Sequence, residues 1–195
     1  PELIDNMSTT VSPMCGVSRM LKAKEPDAVT VFIGPCIAKK SEVVDHAIEG
    51  NTDYALTYSE IRAIMRARNV ELQEDDNTYQ EASVYGKRFA NSGGVTAAVL
   101  ESLKECNEEI DACVCKANGA AECKKALLLK LGKLPEDFIE GMICEGGCVG
   151  GPSAYRDQNV AKKNRDAMIA EADSRGINKN LSNYAMDSFS MHSKR

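Results

Sequence analysis

The sequence has 195 residues, of which 43% are apolar and 27% are charged, and its formal net charge is −5. This balance is typical of a folded globular protein and excludes intrinsic disorder for the bulk of the chain. No apolar run approaches the roughly 20 residues of a membrane span, and no signal-peptide pattern is present. The acidic charge and the absence of tryptophan argue against a nucleic-acid partner. Because the sequence begins with Pro1 rather than methionine, we expect it to be a piece of a longer protein.

Helices and strands alternate in the first part of the sequence. Ser12 followed by Pro13 is typical of a helix start, and the apolar residues of this helix share one face, which consists of Met14, Val17, Met20 and Leu21. The β-branched run over residues 28–33 predicts a buried strand that ends at a Gly-Pro-Cys turn. The next predicted elements are a helix over residues 37–44, a strand over 53–56 and a helix that Thr57 or Ser59 caps and that ends near Arg68.

The second part continues the same alternation. Residues 71–81 are acidic and polar, and they predict a surface loop. The predicted elements that follow are a helix over residues 95–104, a strand over 109–117, a helix over 120–130, a strand over 138–143 and a polar helix over 156–174. The last 20 residues are rich in asparagine, serine and lysine, and we expect them to be peripheral or frayed. The whole pattern predicts an α/β fold, in which ligands bind beyond the carboxyl ends of the strands.

Eight cysteines are the main chemical signal, and three of them follow predicted strands: Cys36, Cys144 and Cys148. We expect these three to converge at the carboxyl ends of neighbouring strands and to line one cleft. Thiolates suit iron–sulfur clusters and zinc, and a Cys-x-x-x-Cys spacing allows two thiolates to come from one turn. Gly146 and Gly147 allow the backbone to approach a bulky cofactor, and their N–H groups are expected to point at an anionic cluster. From the residues alone, metal binding and a glycine-rich structural turn remain equally open. The other cysteines are expected to be buried thiols or helix-face residues.

Four segments together resemble the iron-only (FeFe) hydrogenases. VFIGPCIAKKSE at residues 31–42 is similar to the second cluster-binding signature of that family, and MICEGGCVGGP at 142–152 is similar to the third. SGGV at 92–95 resembles the TGGV turn of the family, and PEL at 1–3 with STTVSP at 8–13 resembles its PEL…LSxxxSP stretch. The matches run in family order, so the resemblance covers residues 1–152.

The resemblance implies a catalytic cofactor, which is a 4Fe-4S cubane joined through one cysteine to a two-iron subsite with CO and CN⁻ ligands. Enzymes with this cofactor interconvert protons, electrons and H₂. Cys36, Cys144 and Cys148 match three of the four cubane ligands, and Cys148 matches the bridging one. The resemblance further implies roles near the cofactor for the catalytic candidates Lys39, Glu42, Ser8 and Met142 and for the binding-loop residues Pro35, Ser92, Gly93, Gly146 and Gly147.

The sequence also departs from the family pattern. The first signature of the family, TSCCPG, precedes PEL and does not occur in these 195 residues. We therefore expect the chain alone to lack the fourth cubane ligand and to be inactive without the cofactor. Gly34 stands where the best-known active enzymes have methionine, which indicates a divergent group.

The sequence therefore predicts the C-terminal portion of a hydrogenase catalytic domain over residues 1–152, followed by a helix and polar tail over 153–195. The resemblance implies an upstream part of the same polypeptide with further iron–sulfur clusters, an electron donor such as ferredoxin and a cytoplasmic location. Two alternatives share the fold, namely an iron–sulfur assembly factor and a sensory hydrogenase. A small zinc-stabilised binding module is a third. Lys39, Glu42 and Met142 favour the hydrogenase, since in that family they serve the two-iron subsite.

Overall fold

The computed structural model describes residues 3–73, 82–108, 110–131 and 137–193. The chain divides into two compact units. Unit 1 comprises Pro1–Glu71 and Tyr184–Arg195, and unit 2 comprises Leu72–Asn183. Each unit combines one pair of parallel strands with helices, so the predicted α/β class is confirmed. The predicted acidic loop lies mostly outside the described residues.

Unit 1 begins with a short 3-10 turn and then alternates helices with strands. Its elements are α1 (Pro13–Lys24), β1 (Val31–Ile33), α2 (Ala38–Val43), β2 (Tyr54–Leu56) and α3 (Tyr58–Ala67). The predicted caps are confirmed. Ser12 accepts a hydrogen bond from the N–H of Cys15, and Thr57 forms a capping box with Glu60.

The sheet of unit 1 consists of β1 and β2, which pair in parallel from Val31 opposite Tyr54 to Ile33 opposite Leu56. The expectation of a buried strand over residues 28–33 is wrong in two respects. The strand begins at Val31, and the side chains of Val31 and Ile33 are 47% and 45% exposed. Because the described part of this sheet has two strands, the face of β1 that carries Val31 and Ile33 stays about half exposed.

Helix α1 buries only part of the face that its apolar pattern predicts. Met14 is buried, but Val17 and Leu21 are exposed, whereas Cys15 and Ser18 are almost fully buried. The reason is polar pairing, because the Ser18 hydroxyl bonds to the hydroxyl of Thr30 at 3.0 Å. A hydroxyl group that forms a hydrogen bond can be buried, so the side of α1 that carries Ser18 faces the interior.

Residues 184–193 pack within unit 1, so peripheral packing, one of the two expectations for the last 20 residues, describes them better than fraying. His192 forms an antiparallel bridge with Thr10, and the N–H of Val11 donates to the carbonyl of Met191 at 2.8 Å. Gly16 leaves room for the Met191 methyl group, which would lie 2.9 Å from an added Cβ. Long-range hydrogen bonds that composition cannot indicate hold this segment in place.

Unit 2 contains the elements α4 (Val84–Arg88), α5 (Gly94–Glu105), β3 (Val114–Asn118), α6 (Ala120–Leu131), β4 (Phe138–Met142), α7 (Gln158–Ala170) and α8 (Ile177–Leu181). Strands β3 and β4 pair in parallel, and Ala117, Cys123 and Ala126 form a small core beside them. No helix in the described part of the chain is long and apolar enough to cross a membrane.

Two predicted boundaries in unit 2 are wrong. The strand expected over residues 109–117 begins at Val114, and Glu109 is not among the described residues. The parallel pairing explains the start, because the register begins where Val114 lies opposite Phe138. The polar helix expected over residues 156–174 is shorter, since Asp157 caps its first turn by accepting from the N–H of Asn159.

Candidate functional site

The first candidate ligand, Cys36, belongs to unit 1 and follows the carboxyl end of β1. The N–H of Gly34 donates to the carbonyl of Leu56 at 3.0 Å, which extends the strand pairing into the turn. A Cβ added at Gly34 would lie 2.5 Å from the ring of Phe32, so this ring fills the space that a larger residue would use. Cys36 is half-buried and is a free thiol.

Lys39 and Glu42, which the family resemblance singled out, are brought together on α2. The ammonium group of Lys39 forms an ion pair with one carboxylate oxygen of Glu42, and the Ser12 hydroxyl donates to the other oxygen. The two side chains of the ion pair are 22% and 19% exposed, so water competes weakly for it. Sequence reasoning identified Ser12 only as a helix cap, because no local pattern connects positions 12 and 42.

Ser8 lies on the exposed segment that precedes α1. Its hydroxyl accepts a hydrogen bond from the N–H of Thr10 at 3.1 Å. The neighbouring Thr9 hydroxyl bonds to Nδ1 of His192 at 2.9 Å, so the C-terminal segment holds this stretch. A lone histidine near a chain end gave no sequence signal for that contact.

The second half of the candidate site is the cysteine turn of unit 2, which we define as residues 144–148. Cys144 directly follows Ile143 at the carboxyl end of β4, and Cys148 begins a 3-10 turn. Gly146 and Gly147 both have positive φ angles, 74° and 93°, which explains the glycines at these positions. Both cysteines are half-buried on one short turn, and neither is in a disulfide.

The expectation that the N–H groups of Gly146 and Gly147 remain free for a cluster is wrong. The N–H of Gly146 donates to Oδ1 of Asn118 at 2.8 Å, and that of Gly147 donates to the carbonyl of Cys144 at 3.0 Å. The N–H of Cys148 donates to the carbonyl of Ala90 at 2.8 Å. These bonds fix the backbone between the two thiols.

The segment before α5 lies against the cysteine turn. A Cβ added at Gly147 would lie 2.0 Å from the carbonyl oxygen of Ala90, so only glycine permits this approach. Ser92 and Gly93 follow two residues later, and Gly93 has a φ of 82°. Two motifs that are more than 50 residues apart in sequence are therefore neighbours in unit 2.

A buried carboxylate that sequence reasoning missed fixes the turn at Gly93. Glu140 of β4 is only 7% exposed and accepts hydrogen bonds from the N–H of Gly93 at 2.9 Å and from the N–H and hydroxyl of Thr96 at 2.8 and 2.6 Å. Its negative charge lies at the N-terminal end of α5, where the helix dipole stabilises an anion. An acidic residue inside an otherwise apolar strand was the available signal.

The donor set fits an iron–sulfur cluster in chemistry. Thiolates are the usual ligands of such clusters, and Cys144 and Cys148 offer two on one fixed turn. Within either unit, no three His, Cys, Asp or Glu side chains among the described residues are grouped closely enough to hold a metal ion.

Burial raises the pKa of the Cys15 thiol, which keeps that thiol protonated and suits a core residue. Met142 is half-buried at the end of β4, and its carbonyl accepts from the N–H of Gly119 at 2.7 Å.

The candidate site residues are thus divided between the two units. Pro35, Cys36, Lys39, Glu42 and Ser8 belong to unit 1. Unit 2 carries Ser92, Gly93, Met142 and the cysteine turn. The turn and the Ser92-Gly93 segment are brought together, as are Lys39 and Glu42. Convergence of all three thiols at one cleft stays a prediction.

Curated relatives support the same family. The chain is 28% identical over 196 residues to the "Periplasmic [Fe] hydrogenase large subunit" of Nitratidesulfovibrio vulgaris, and the match covers 77% of this chain and 46% of that protein. It is 28% identical over 197 residues to "Iron hydrogenase 1" of Clostridium pasteurianum, covering 77% and 34%. It is 26% identical over 231 residues to "NADP-reducing hydrogenase subunit HndD" of Solidesulfovibrio fructosivorans, covering 94% and 39%. The chain spans less than half the length of these relatives.

A solved structure shares the fold. It is the structure of HydA(deltaEFG), which revealed stepwise [FeFe]-hydrogenase H-cluster assembly. It aligns with this chain at a TM-score of 0.61 and 19% identity. The alignment covers 96% of this chain and 65% of that one. Residues 1–152 match the family described as the iron only hydrogenase large subunit, C-terminal domain. The chain therefore belongs to the iron-only hydrogenase large-subunit family.

Proposed function

We propose that the full-length protein is an iron-only hydrogenase that interconverts protons, electrons and H₂. The observation that carries the proposal is the cysteine turn of unit 2, where two half-buried cysteines flank a backbone held by hydrogen bonds to distant residues. The cofactor would be a 4Fe-4S cubane bridged to a two-iron subsite. When bound, it would supply the electron storage and the open iron position that H₂ chemistry requires.

In this proposal Cys36, Cys144 and Cys148 would hold the cubane, and Cys148 would also link it to the two-iron subsite. Pro35, Ser92, Gly93, Gly146 and Gly147 shape the loops that carry or surround these thiols. Support comes from the glycine geometry, since the close approach of Gly147 to Ala90 leaves no room for a side chain. A fixed turn lowers the cost of organising the ligands before the cluster binds.

The remaining residues act on charge and protons. Lys39 would donate to an anionic ligand of the cofactor, and its ion pair with Glu42 would hold the ammonium group in place. Glu42 also accepts from Ser12, so its position is fixed from two sides. Ser8 would carry a proton on its hydroxyl, and Met142 would pack beside the cofactor and exclude water.

The partners and location belong to the same proposal. We propose that electrons arrive from a donor such as ferredoxin through further clusters in the same polypeptide. We also propose a cytoplasmic location. Since one relative is named periplasmic, fractionation of native cells with an antibody to the chain would test this directly.

The 195-residue chain produced by itself would be inactive, because the resemblance assigns it three of the four cubane ligands. An incomplete ligand set loses affinity, since the metal must be held by thiolates that the fold brings together. The test is anaerobic maturation of the chain and of the full-length protein, followed by iron and sulfide analysis, infrared spectroscopy and an H₂ evolution assay.

We expect CO and CN⁻ bands, iron and H₂ evolution from the full-length protein only. Iron and sulfide without those bands in the full-length protein would contradict the proposal and indicate an assembly factor. Zinc alone would indicate the binding module. Activity and infrared bands from the 195-residue chain would show that the fourth ligand is dispensable.

A further inference from the structure

Helix α7 contacts the cysteine turn although it begins after residue 152, where the match to the C-terminal domain of the large subunit ends. Nε2 of Gln158, the first residue of the helix, donates to the carbonyl of Glu145 at 2.6 Å. Two turns further along the helix, Nη1 of Arg165 donates to the carbonyl of Gly146 at 3.2 Å. One helix thus holds two consecutive carbonyl groups that lie between the two thiols.

Gly146 in the cysteine turn and Gly150 just after it make room for the Gln158 side chain. A Cβ added at Gly146 would lie 3.0 Å from Nε2 of Gln158, and one added at Gly150 would lie 2.8 Å from it. The amide of Gln158 therefore lies in space that side chains at these two positions would fill. The two glycines serve this contact as well as the positive φ angle of Gly146.

Arg165 is suited to fix a backbone position. Its side chain is only 13% exposed, and its guanidinium group also pairs with the carboxylate of Asp166 at 2.8 Å. The planar guanidinium presents several donors in a rigid arrangement, which a lysine cannot reproduce. Because the positive charge of Arg165 is already paired with Asp166, the main effect of Arg165 on the turn is to fix the position of the Gly146 carbonyl group.

Together with the bonds to Asn118 and Ala90, these contacts bind both the carbonyl side and the N–H side of the turn. We infer that Gln158 and Arg165 are positioning residues for Cys144 and Cys148, so that the site extends into the segment after residue 152. The role of the two cysteines as cluster ligands rests on the proposed function, but the hydrogen bonds from Gln158 and Arg165 to the turn do not depend on a bound cofactor.

The test uses the full-length protein with Gln158→Met and Arg165→Met, which remove the donors and keep similar side-chain length. Lys163→Met is the matched control, since Lys163 is exposed on the same helix. The first readout is amide hydrogen exchange of Gly147 and Cys148 in the cofactor-free protein. We expect exchange to accelerate about five- to tenfold in the two variants and to stay unchanged in the control.

The second readout is the iron content after reconstitution, with the thermal midpoint as a measure of folding. A lower iron content at an unchanged thermal midpoint in Gln158→Met and Arg165→Met would support positioning. The iron content of Gln158→Asn and Arg165→Lys should then also stay below that of the wild type. Unchanged exchange and full iron content in both variants would overturn the inference. Gln158 is exposed, so its substitution keeps the test valid even if Arg165→Met unfolds. If the wild type itself takes up no iron, the proposed function fails while the exchange readout still decides this inference.

Discussion

The two units carry their candidate ligand cysteines on differently built turns. In unit 2, the cysteine turn is held by hydrogen bonds that come from β3, from the segment before α5 and from α7. In unit 1, Cys36 follows a strand of three residues, and the neighbouring Lys39 and Glu42 are held by side-chain pairs. The cysteine turn is therefore organised by backbone geometry, whereas Lys39 and Glu42, which follow Cys36, are organised by charge pairing.

The largest effect is expected from the cysteines themselves. In the full-length protein, Cys148→Ala should abolish H₂ turnover, because the resemblance makes Cys148 the bridge between the cubane and the two-iron subsite. Cys106→Ser is the matched control, since Cys106 is an exposed free thiol. The measurements are H₂ evolution and iron content after maturation. Comparable losses in the two variants would show that the ligands are misassigned.

A backbone test of the cysteine turn is Gly147→Ala. The added Cβ would lie 2.0 Å from the Ala90 carbonyl oxygen at a φ of 93°, so we expect the free energy of unfolding to fall by about 3 kcal/mol. Chemical denaturation measures this loss. The control Gly86→Ala meets only an ordinary contact of 3.5 Å in α4 and should stabilise the protein by about 0.5 kcal/mol. Equal effects in both variants would contradict the role of backbone geometry.

The buried carboxylate offers a smaller perturbation of the same half. Glu140→Gln keeps the shape but replaces one acceptor oxygen by a donor that faces the N–H groups of Gly93 and Thr96. We expect a loss of about 2 kcal/mol in the free energy of unfolding and reduced iron uptake. The exposed Glu171→Gln should change stability by less than about 0.5 kcal/mol. An unchanged stability of Glu140→Gln would show that its hydrogen bonds do not hold the turn.

The smallest effect concerns charge in unit 1. The hydrogen bond from Lys22, followed by those from Thr30, lowers the pKa of Asp53 to about 2. A lowered pKa in the folded state stabilises the protein above the ordinary value of 3.8, and this contribution is lost as the pH falls towards 2. Asp53→Asn should therefore cost about 1 kcal/mol at pH 6, after allowance for solvent screening, and should flatten the pH dependence between 4 and 2.

Thermal unfolding at several pH values measures the effect, and Asp27→Asn is an exposed control in the same unit. A parallel pH profile for the wild type and Asp53→Asn would contradict the charge-based account of unit 1. A pH profile flattened as much in Asp27→Asn as in Asp53→Asn would do the same.

Local signals in the sequence predicted the elements well where the stabilising contacts are themselves local. Ser12 and Thr57 cap their helices through bonds that span three residues, so their side-chain chemistry is sufficient. The Gly34-Pro35-Cys36 turn and the Cys144–Cys148 turn also follow strands as expected. The family motifs added Lys39 and Glu42, which a spacing of three residues on a helix makes neighbours.

Long-range partners could not be predicted in this way. The buried face of α1 follows from the Ser18–Thr30 pair, and the packed C-terminal segment follows from its bridge to Thr10. Both depend on hydrogen bonds between residues whose separation in sequence carries no pattern. Hydrophobic periodicity takes only apolar side chains into account, so it cannot predict a helix face that is buried through hydrogen-bonded polar side chains.

The sequence by itself determined the alternation of helices and strands, the helix caps and the cysteines that belong to the family motifs, because each is encoded within a few neighbouring residues. Only the tertiary structure decided that the backbone N–H groups from Gly146 to Cys148 are used within the protein and that Glu140 fixes the turn at Gly93. It also placed α7 against the cysteine turn. These contacts join segments far apart in the chain, and their energy depends on distances that only folding sets.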